Sequence, residues 1–244
     1  ILLIAAATAA PAQDCVDHGD HLRVITSTVV DGSARQAVVA ANHAYVAGAT
    51  GGLAVFDLDD LDNPRLVHQD DHCGTATALA LHPPHLYVAD DSANLHVYDL
   101  NVPDRPVHRA DLALPAAAND LGVRSPHLLV AAGSAGLLVL DLANPAAPVL
   151  VGSVVTPGLA WGVAAGPRYA VVADDNQGLA VIDLDQPHQP RHVGSAEAAG
   201  YGVAVSLSGN LAFMAAWNAG LAVIDIARPQ APKLIVQMAL PGVT

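Results

Sequence analysis

The stretch GLAVIDLDQPHQP, residues 178–190, has the pattern of one short β-strand followed by a turn that is rich in proline. Nearly the same phrase occurs four more times, as GLAVFDLDDLDNP from Gly52, NLHVYDLNVPDRP from Asn94, GLLVLDLANPAAP from Gly136 and GLAVIDIARPQAP from Gly220. The aspartate near the middle of the phrase advances by 42 residues from copy to copy, at Asp57, Asp99, Asp141, Asp183 and Asp225. A constant period of this length indicates a repeat protein.

Each repeat is predicted to form four short strands separated by Gly, Asp, Asn and Pro. In the fourth copy the strands cover residues 161–165, 169–173 and 179–184, with a last strand from Arg191. The third of these strands is apolar on both alternating faces, so both faces are expected to be buried. No segment keeps a helical period. The pattern therefore predicts an all-β protein, a β-propeller of four-stranded antiparallel blades, with a β-solenoid as the alternative.

The recurring aspartate has a structural interpretation. It ends the third strand, where its carboxylate can accept a backbone N–H of the following turn, as in an Asx-turn. A proline is then expected to start the outermost strand, where a missing N–H is tolerated because that strand lies at a sheet edge. Five equivalent aspartates in five blades cannot share one active site, so we expect them to be structural.

The phrase GLAVID, the turn with two prolines and the later Val193-Gly194-Ser195 resemble the LVIVD-repeat proteins of bacterial and archaeal cell surfaces. The resemblance covers residues 22–240. It implies an extracytoplasmic β-propeller, but no particular reaction.

Five copies of the first three strands are present, and residues 22–25 and 233–240 both resemble outermost strands. We therefore predict an open arc of five blades plus flanking strands from a larger propeller, within a domain at 22–244. The apolar residues 1–10, followed by Ala10-Pro11-Ala12, resemble the end of a secretory signal peptide, with 13–21 as a linker. A disordered or packed tail is the alternative. A secreted, periplasmic or cell-surface location is expected.

The composition excludes some partners. The net charge is −13 and only ten residues are basic, which argues against nucleic acid. The apolar start is too short to span a bilayer, so no transmembrane segment is expected. The chain has no nucleophile elbow, P-loop or dinucleotide-binding motif, and no cofactor is expected.

Candidate ligand-binding residues lie before the innermost strands and after the second strands, where the copies differ. They are Arg35, Thr77, Asn119, Asp120, Trp161, Tyr201, Asp90, Asp174, Trp217 and Asn218. Turn formation alone is the competing interpretation for the aspartates. The aromatic side chains are stronger candidates, because large aromatic residues are scarce in this chain.

A second group of reactive side chains occurs in two short stretches. Cys15 and Cys73 are candidates for a disulfide, as is usual for paired cysteines in a secreted protein. The alternative is a metal site that uses His18, His21, His68 and His72, although their spacing matches no zinc motif. The other histidines, including His96 and His108, are interpreted as solvated residues of turns and outer strands.

These features favour a binding module for an unknown protein or glycan, with its site on the loop face at the axis. A propeller enzyme, such as a hydrolase, lyase or quinoprotein, is the alternative. It would need several convergent ionisable groups near the axis, where Arg35 is the only basic candidate. A purely structural envelope component is a third possibility.

Overall fold

The computed structural model describes residues 33–48 and 51–240. These residues form twenty β-strands and no helix. The strands make five sheets, each of four antiparallel strands in chain order. The structure thus confirms the all-β class and the five blades predicted from the sequence. The proposed signal segment, the linker, the strand at 22–25 and residues 241–244 lie outside the described residues.

The described chain divides into two compact units, one of residues up to 92 with 96–109, and one of residues 93–95 with 110 onwards. The first unit holds blade 1 and most of blade 2. The strands of blade 1 are β1 (Ala34–Ala40), β2 (His43–Gly48), β3 (Gly52–Asp57) and β4 (Arg65–Asp70). The strands of blade 2 are β5 (Ala76–His82), β6 (His85–Asp90), β7 (Asn94–Asp99) and β8 (Val107–Ala113).

The second unit holds blades 3, 4 and 5. The strands of blade 3 are β9 (Asp120–Arg124), β10 (His127–Ala131), β11 (Leu137–Asp141) and β12 (Val149–Val154). The strands of blade 4 are β13 (Gly162–Ala165), β14 (Tyr169–Ala173), β15 (Leu179–Asp183) and β16 (Arg191–Ala196). The strands of blade 5 are β17 (Gly202–Ser208), β18 (Leu211–Ala216), β19 (Gly220–Asp225) and β20 (Lys233–Met238).

Blades within a unit pack face to face, and side chains of their first, second and third strands form the cores between them. In blade 4 every residue of β15 is buried, as the two-sided apolar pattern predicts. One face of blade 4 forms a core with blade 3, and the other face forms a core with blade 5. In the first unit, side chains of blades 1 and 2 form an equivalent core. The fourth strands are more exposed, as expected for strands at the sheet edge.

The recurring aspartates confirm the predicted turn. In each copy Oδ1 accepts the backbone N–H of the second residue after the aspartate, at 2.8–3.0 Å. Three of the five aspartates also accept bonds from arginines, namely Asp57, Asp99 and Asp183. These ion pairs were not predicted from the sequence. Through these bonds, the three carboxylates connect the end of the third strand to neighbouring segments of the same blade.

Replacing Asp183 by alanine is expected to lower the free energy of unfolding by about 1–3 kcal/mol, because the turn bond and the bonds from Arg168 and Arg191 are lost together. Asp225→Ala is the matched control, because Asp225 makes the same turn bond but accepts no arginine bond from the described residues. Its loss should be smaller. Urea unfolding of both variants would measure the difference, and equal losses would contradict the role given to the arginines.

The effect of Asp183 should also depend on pH. The bond from Arg168 holds the pKa of the Asp183 carboxyl below its ordinary value of 3.8. A carboxyl whose pKa is lower in the folded state stabilises the fold above its unfolded pKa, and this contribution is lost as the pH falls through the folded pKa. The gap between wild type and Asp183→Ala should therefore be full at pH 7 and shrink well below pH 3.8.

Candidate functional site

Most of the predicted site residues lie where the first strand of a blade begins. Arg35 and Thr77 are extra residues at register shifts of β1 and β5. The same shift in β17 falls at Val203, between Gly202 and Ala204. Tyr201 directly precedes β17, which begins at Gly202, as the sequence predicted. Arg35 is exposed at the start of β1.

The polar candidates of the first strands bind backbone groups. Thr77 Oγ1 donates to the carbonyl of Ala89 at 3.2 Å, within its own sheet. Asn119 Nδ2 donates to the carbonyl of Ala160 at 2.9 Å, and Asp120 Oδ2 accepts the N–H of Val163 at 2.9 Å. The last two bonds connect blade 3 to blade 4. These three side chains therefore have structural roles.

A hydrogen bond equivalent to that of Asp120 is formed by Gln36 in blade 1. Its Oε1 accepts the N–H of Leu79 at 2.5 Å, which connects blade 1 to blade 2. Gln36 and Asp120 lie two periods apart, as do their partners Leu79 and Val163. A polar side chain at this repeat position can thus accept a hydrogen bond from the first strand of the next blade. Gln36 was not among the candidate residues predicted from the sequence.

The buried aspartates at the ends of the second strands are also held by their surroundings. Asp174 is 1% exposed and its Oδ2 accepts the N–H of Gly158 at 2.9 Å. Asp90 is 6% exposed, and its Oδ1 accepts the N–H of Ser92 at 2.9 Å. Neither carboxylate is exposed enough to reach a ligand bound on the loops. Their place in a loop-face site stays a prediction with no contact to support it.

The aromatic candidates are exposed instead. Trp161, Tyr201 and Trp217 are 39%, 50% and 71% exposed. Together with the exposed Asn218 they are called the aromatic patch. All four lie at the end of blades 4 and 5 where the first strands begin, and the N–H of Trp217 donates to the carbonyl of Tyr201 at 2.8 Å. Blade 4 is the neighbour of blade 5 at this end, since the N–H of Gly202 donates to the carbonyl of Asp175.

Close packing of the two first strands places Trp161 beside blade 5. A Cβ built on Gly162 would lie 2.8 Å from Cα of Ala204, so only glycine allows this approach. Trp161 is the residue before Gly162, and its N–H donates to the carbonyl of Ala173 at 2.9 Å. The aromatic patch is thus supported by hydrogen-bonded backbone and not by long loops.

Only some of the predicted cysteine and histidine residues lie in the described part of the chain. Cys15, His18 and His21 lie outside the described residues, so the disulfide stays a prediction. Cys73 is buried and forms no disulfide with another described residue, and burial raises the pKa of its thiol to about 11, which makes the thiol a poor nucleophile. His68 is half-buried on β4.

His72 lies in a different cluster from the one predicted. The structure brings it next to His96 and His108, with ring centroids 5.5 and 4.2 Å away. His96 lies on the third strand of blade 2 and is 4% exposed, so its interpretation as a solvated histidine is wrong. The burial of His96 could have been predicted by aligning the repeats at their 42-residue period, because the other repeats have an apolar residue at this strand position.

A shallow polar depression occurs at the opposite end of blade 4. It is lined by Asp183, Asp185, Gln186, Gln189 and Arg191. Because Asp183 is already held by its turn and by two arginines, we assign this depression to the structural turn.

The fold and the repeated turns define a repeat scaffold with a propeller-like stack of four-stranded blades. The LVIVD repeat family matches the chain at residues 31–70, 116–156, 157–197 and 199–239. The chain therefore belongs to the LVIVD repeat family, as the resemblance of its sequence indicated. A search of curated proteins gives no match.

Two solved structures have a similar fold. One is a functionally unknown protein from Desulfotomaculum acetoxidans, 9% identical, with a TM-score of 0.72 over 86% of this chain and 71% of that one. The other is the computationally designed Ika8 protein, 12% identical, with a TM-score of 0.65 over 83% of this chain. This chain spans 61% of the length of the designed protein. At these identities the likeness concerns the fold alone.

No helix long and apolar enough to cross a bilayer is found within residues 33–48 and 51–240.

Proposed function

We propose that this protein is an extracytoplasmic binding scaffold whose aromatic patch holds a neutral glycan or a protein surface. The observation that carries the proposal is the exposure of three large aromatic side chains at one end of two neighbouring blades. Tryptophan and tyrosine present large apolar faces with a polar handle, and they are enriched where proteins bind other molecules. Tyr45, Tyr87 and Tyr98, by contrast, are fully buried.

The chemistry near the patch favours a neutral ligand. The side chain of Asn218 is exposed and offers both a donor and an acceptor. The nearby carboxylates are Asp174, which is buried, Asp175, which is half-buried, and Glu197, which is exposed and disfavours an anionic ligand. A net charge of −13 also disfavours a polyanionic ligand. Stacking against apolar ring faces and hydrogen bonds to an amide are the interactions that a sugar or a polypeptide can use.

The location outside the cytoplasm is part of the proposal. It rests on the apolar residues 1–10 and the small residues Ala10 and Ala12, which have the pattern of a secretory signal. A catalytic role has weaker support, because the site described above lacks a convergent set of accessible ionisable groups.

The two tryptophans of the chain are both members of the aromatic patch, so intrinsic fluorescence reports on it directly. We expect neutral oligosaccharides, for example a series of chito- and cello-oligosaccharides, or a surface protein of the host organism to change this emission. For the ligand that does, Tyr201→Ala and Trp217→Ala should each weaken binding about 10-fold or more, because exposed aromatics at binding sites are commonly worth more than 1 kcal/mol. Calorimetry or surface plasmon resonance would measure the affinities.

Leu61→Ala is the matched control, because Leu61 is 53% exposed and belongs to blade 1, not to the aromatic patch. It should bind as well as wild type. If the patch variants bind a ligand as tightly as Leu61→Ala does, the patch is not the binding site and the proposal fails.

A further inference from the structure

Blade 2 contains a compact group of metal-binding side chains that has no part in the proposed aromatic site. His72 precedes β5, His96 lies on β7 and His108 lies on β8. The ring centroids of His96 and His108 are 6.2 Å apart, and His72 lies closer to each of them. Asp111 follows His108 by three residues on β8. One ligand atom from each of the four side chains lies within 4.8 Å of the others.

The position of His96 is unusual for this repeat. At the same position of the third strand, the other blades carry Ala54, Leu138, Ala180 and Ala222, all of them buried. Replacing an apolar core residue by a buried imidazole costs free energy unless the ring nitrogens find partners. A second buried polar group, Asp90, is the partner of one ring nitrogen, since its Oδ2 lies 3.1 Å from Nε2 of His96. Blade 2 thus has a buried polar pair at a position where the other blades have alanine or leucine.

The other histidines also depart from the repeat. His108 stands where three other blades carry Leu66, Leu150 and Leu234. All the residues of the cluster fall between residues 71 and 115, the stretch that the LVIVD repeat family leaves unmatched between its first two matches. The departure from the family pattern and the clustering of imidazoles therefore occur in the same blade.

The arrangement has the features of a histidine metal site. Histidines that bind metals commonly direct their other ring nitrogen to a carboxylate, as His96 does with Asp90. Four ligand atoms around a tetrahedral Zn²⁺ with bonds of about 2.0–2.1 Å lie about 3.3 Å apart. The exposed side chains of His72 and Asp111 can rotate to close the remaining gap, while His96 is held by the sheet.

We propose that His72, His96 and His108, with Asp111 as the fourth ligand, bind a divalent transition metal of the Zn²⁺ type. Imidazole ligands favour Zn²⁺, Ni²⁺ and Cu²⁺ over Ca²⁺ and Mg²⁺, which prefer oxygen. Asp90 orients His96 through its hydrogen bond. A bound metal would cross-link the chain before β5 to β7 and β8, and would stabilise the one blade whose third strand contains a buried imidazole.

The metal-depleted chain, titrated with Zn²⁺ alone in competition with a chromophoric chelator, should bind one Zn²⁺ per molecule, and excess Ca²⁺ should not displace it. His108→Leu should lower the Zn²⁺ affinity by about 100-fold or more, because loss of an outer-shell partner alone costs 10–100-fold. Asp90→Asn should cost about 10–100-fold for that reason. Leucine occupies the His108 position in three other blades, so the variant suits the fold.

His192→Leu is the matched control. His192 is the residue equivalent to His108 in blade 4, is exposed, and bonds to Ser195. The control removes one histidine from the same repeat position outside the cluster, and it should bind Zn²⁺ as wild type does. If His108→Leu binds Zn²⁺ as tightly as His192→Leu, the assigned site is wrong.

Two measurements on the unmodified chain keep the test independent of variant folding. Co²⁺ in the same site should give the intense visible absorption of a four-coordinate ion, and an octahedral spectrum would overturn the proposed geometry. In ¹⁵N NMR of the histidine rings, Zn²⁺ should shift the signals of His72, His96 and His108. Shifts confined to other histidines would also overturn the proposal. Neither result bears on the aromatic patch, which is tested separately.

Discussion

Replacing Gly178 by alanine is expected to lower the free energy of unfolding of the protein by about 2–5 kcal/mol. Gly178 directly precedes the third strand of blade 4 and has φ of +78°, a conformation that costs an L-residue about 1–2 kcal/mol. A Cβ at this position would also lie 2.3 Å from the carbonyl oxygen of Ala196 and 2.9 Å from the backbone nitrogen of Ala198. Backbone cannot move aside like a side chain, so β15 and β16 would have to separate.

Gly209→Ala isolates the conformational part of this cost. Gly209 has φ of +57°, but a Cβ there would meet no atom within 4 Å. Its loss should therefore be about 1–2 kcal/mol. Urea unfolding followed by circular dichroism would compare the two variants. Equal losses would show that the close approach between the third and fourth strands does not matter, in contradiction to the structure.

The close approach recurs with the repeat. Gly52, Gly136 and Gly220 also have positive φ, and a Cβ on each would lie 2.0–2.2 Å from a carbonyl oxygen near the end of the fourth strand. Blade 2 has Asn94 at this position, and there the positive φ falls on Ala93 instead. The glycine that opens the GLAVID phrase is thus required by the tertiary structure of each blade that has it.

Leu179→Ala is expected to destabilise the protein by about 2–5 kcal/mol, the usual range for truncating a fully buried leucine. Leu179 is 0% exposed and belongs to the core between blades 4 and 5. Its removal leaves a cavity lined by residues on two sheets, and both sheets are held in place by their own hydrogen-bond ladders. The surroundings can therefore collapse only in part.

Leu221→Ala is the matched control, because Leu221 occupies the same position of an almost identical phrase 42 residues later. Leu221 is only half-buried, so less apolar surface returns to water and the loss should be about 1 kcal/mol. Chemical unfolding of the two variants would test this. If both variants lose the same stability, the burial of the third strand does not differ between blades 4 and 5.

Much of the fold could be predicted from residue order. The 42-residue period gave the number of blades, and the apolar third strands gave their two-sided burial. The aspartate turns were also predictable, because an Asx-turn needs only a short carboxylate and the next two residues. The strands of the fourth repeat differ from the prediction by about one residue at their ends. These features depend on local chemistry that recurs in every repeat.

The candidate sites were less predictable, since they depend on contacts between residues far apart in the chain. The exposed aromatics Trp161, Tyr201 and Trp217 were identified by their rarity, but Asn119 and Asp120 turned out to bind backbone of the next blade. The histidine cluster was missed, because His72, His96 and His108 look unrelated when they are read along the chain. Aligning the repeats by their period would have marked His96 as an exception.

Residue order alone determines the repeat, the strand type, the turn aspartates and the membership of the LVIVD repeat family. Only the packing of the sheets decides which of two nearly identical strands is buried: β15 is buried throughout, whereas alternate residues of β19 are half-exposed. The reason is physical. A strand's own residues set its pleat and its apolar faces, but burial of a face requires a second sheet against it, and the phrase GLAVID does not encode the sheet that covers it.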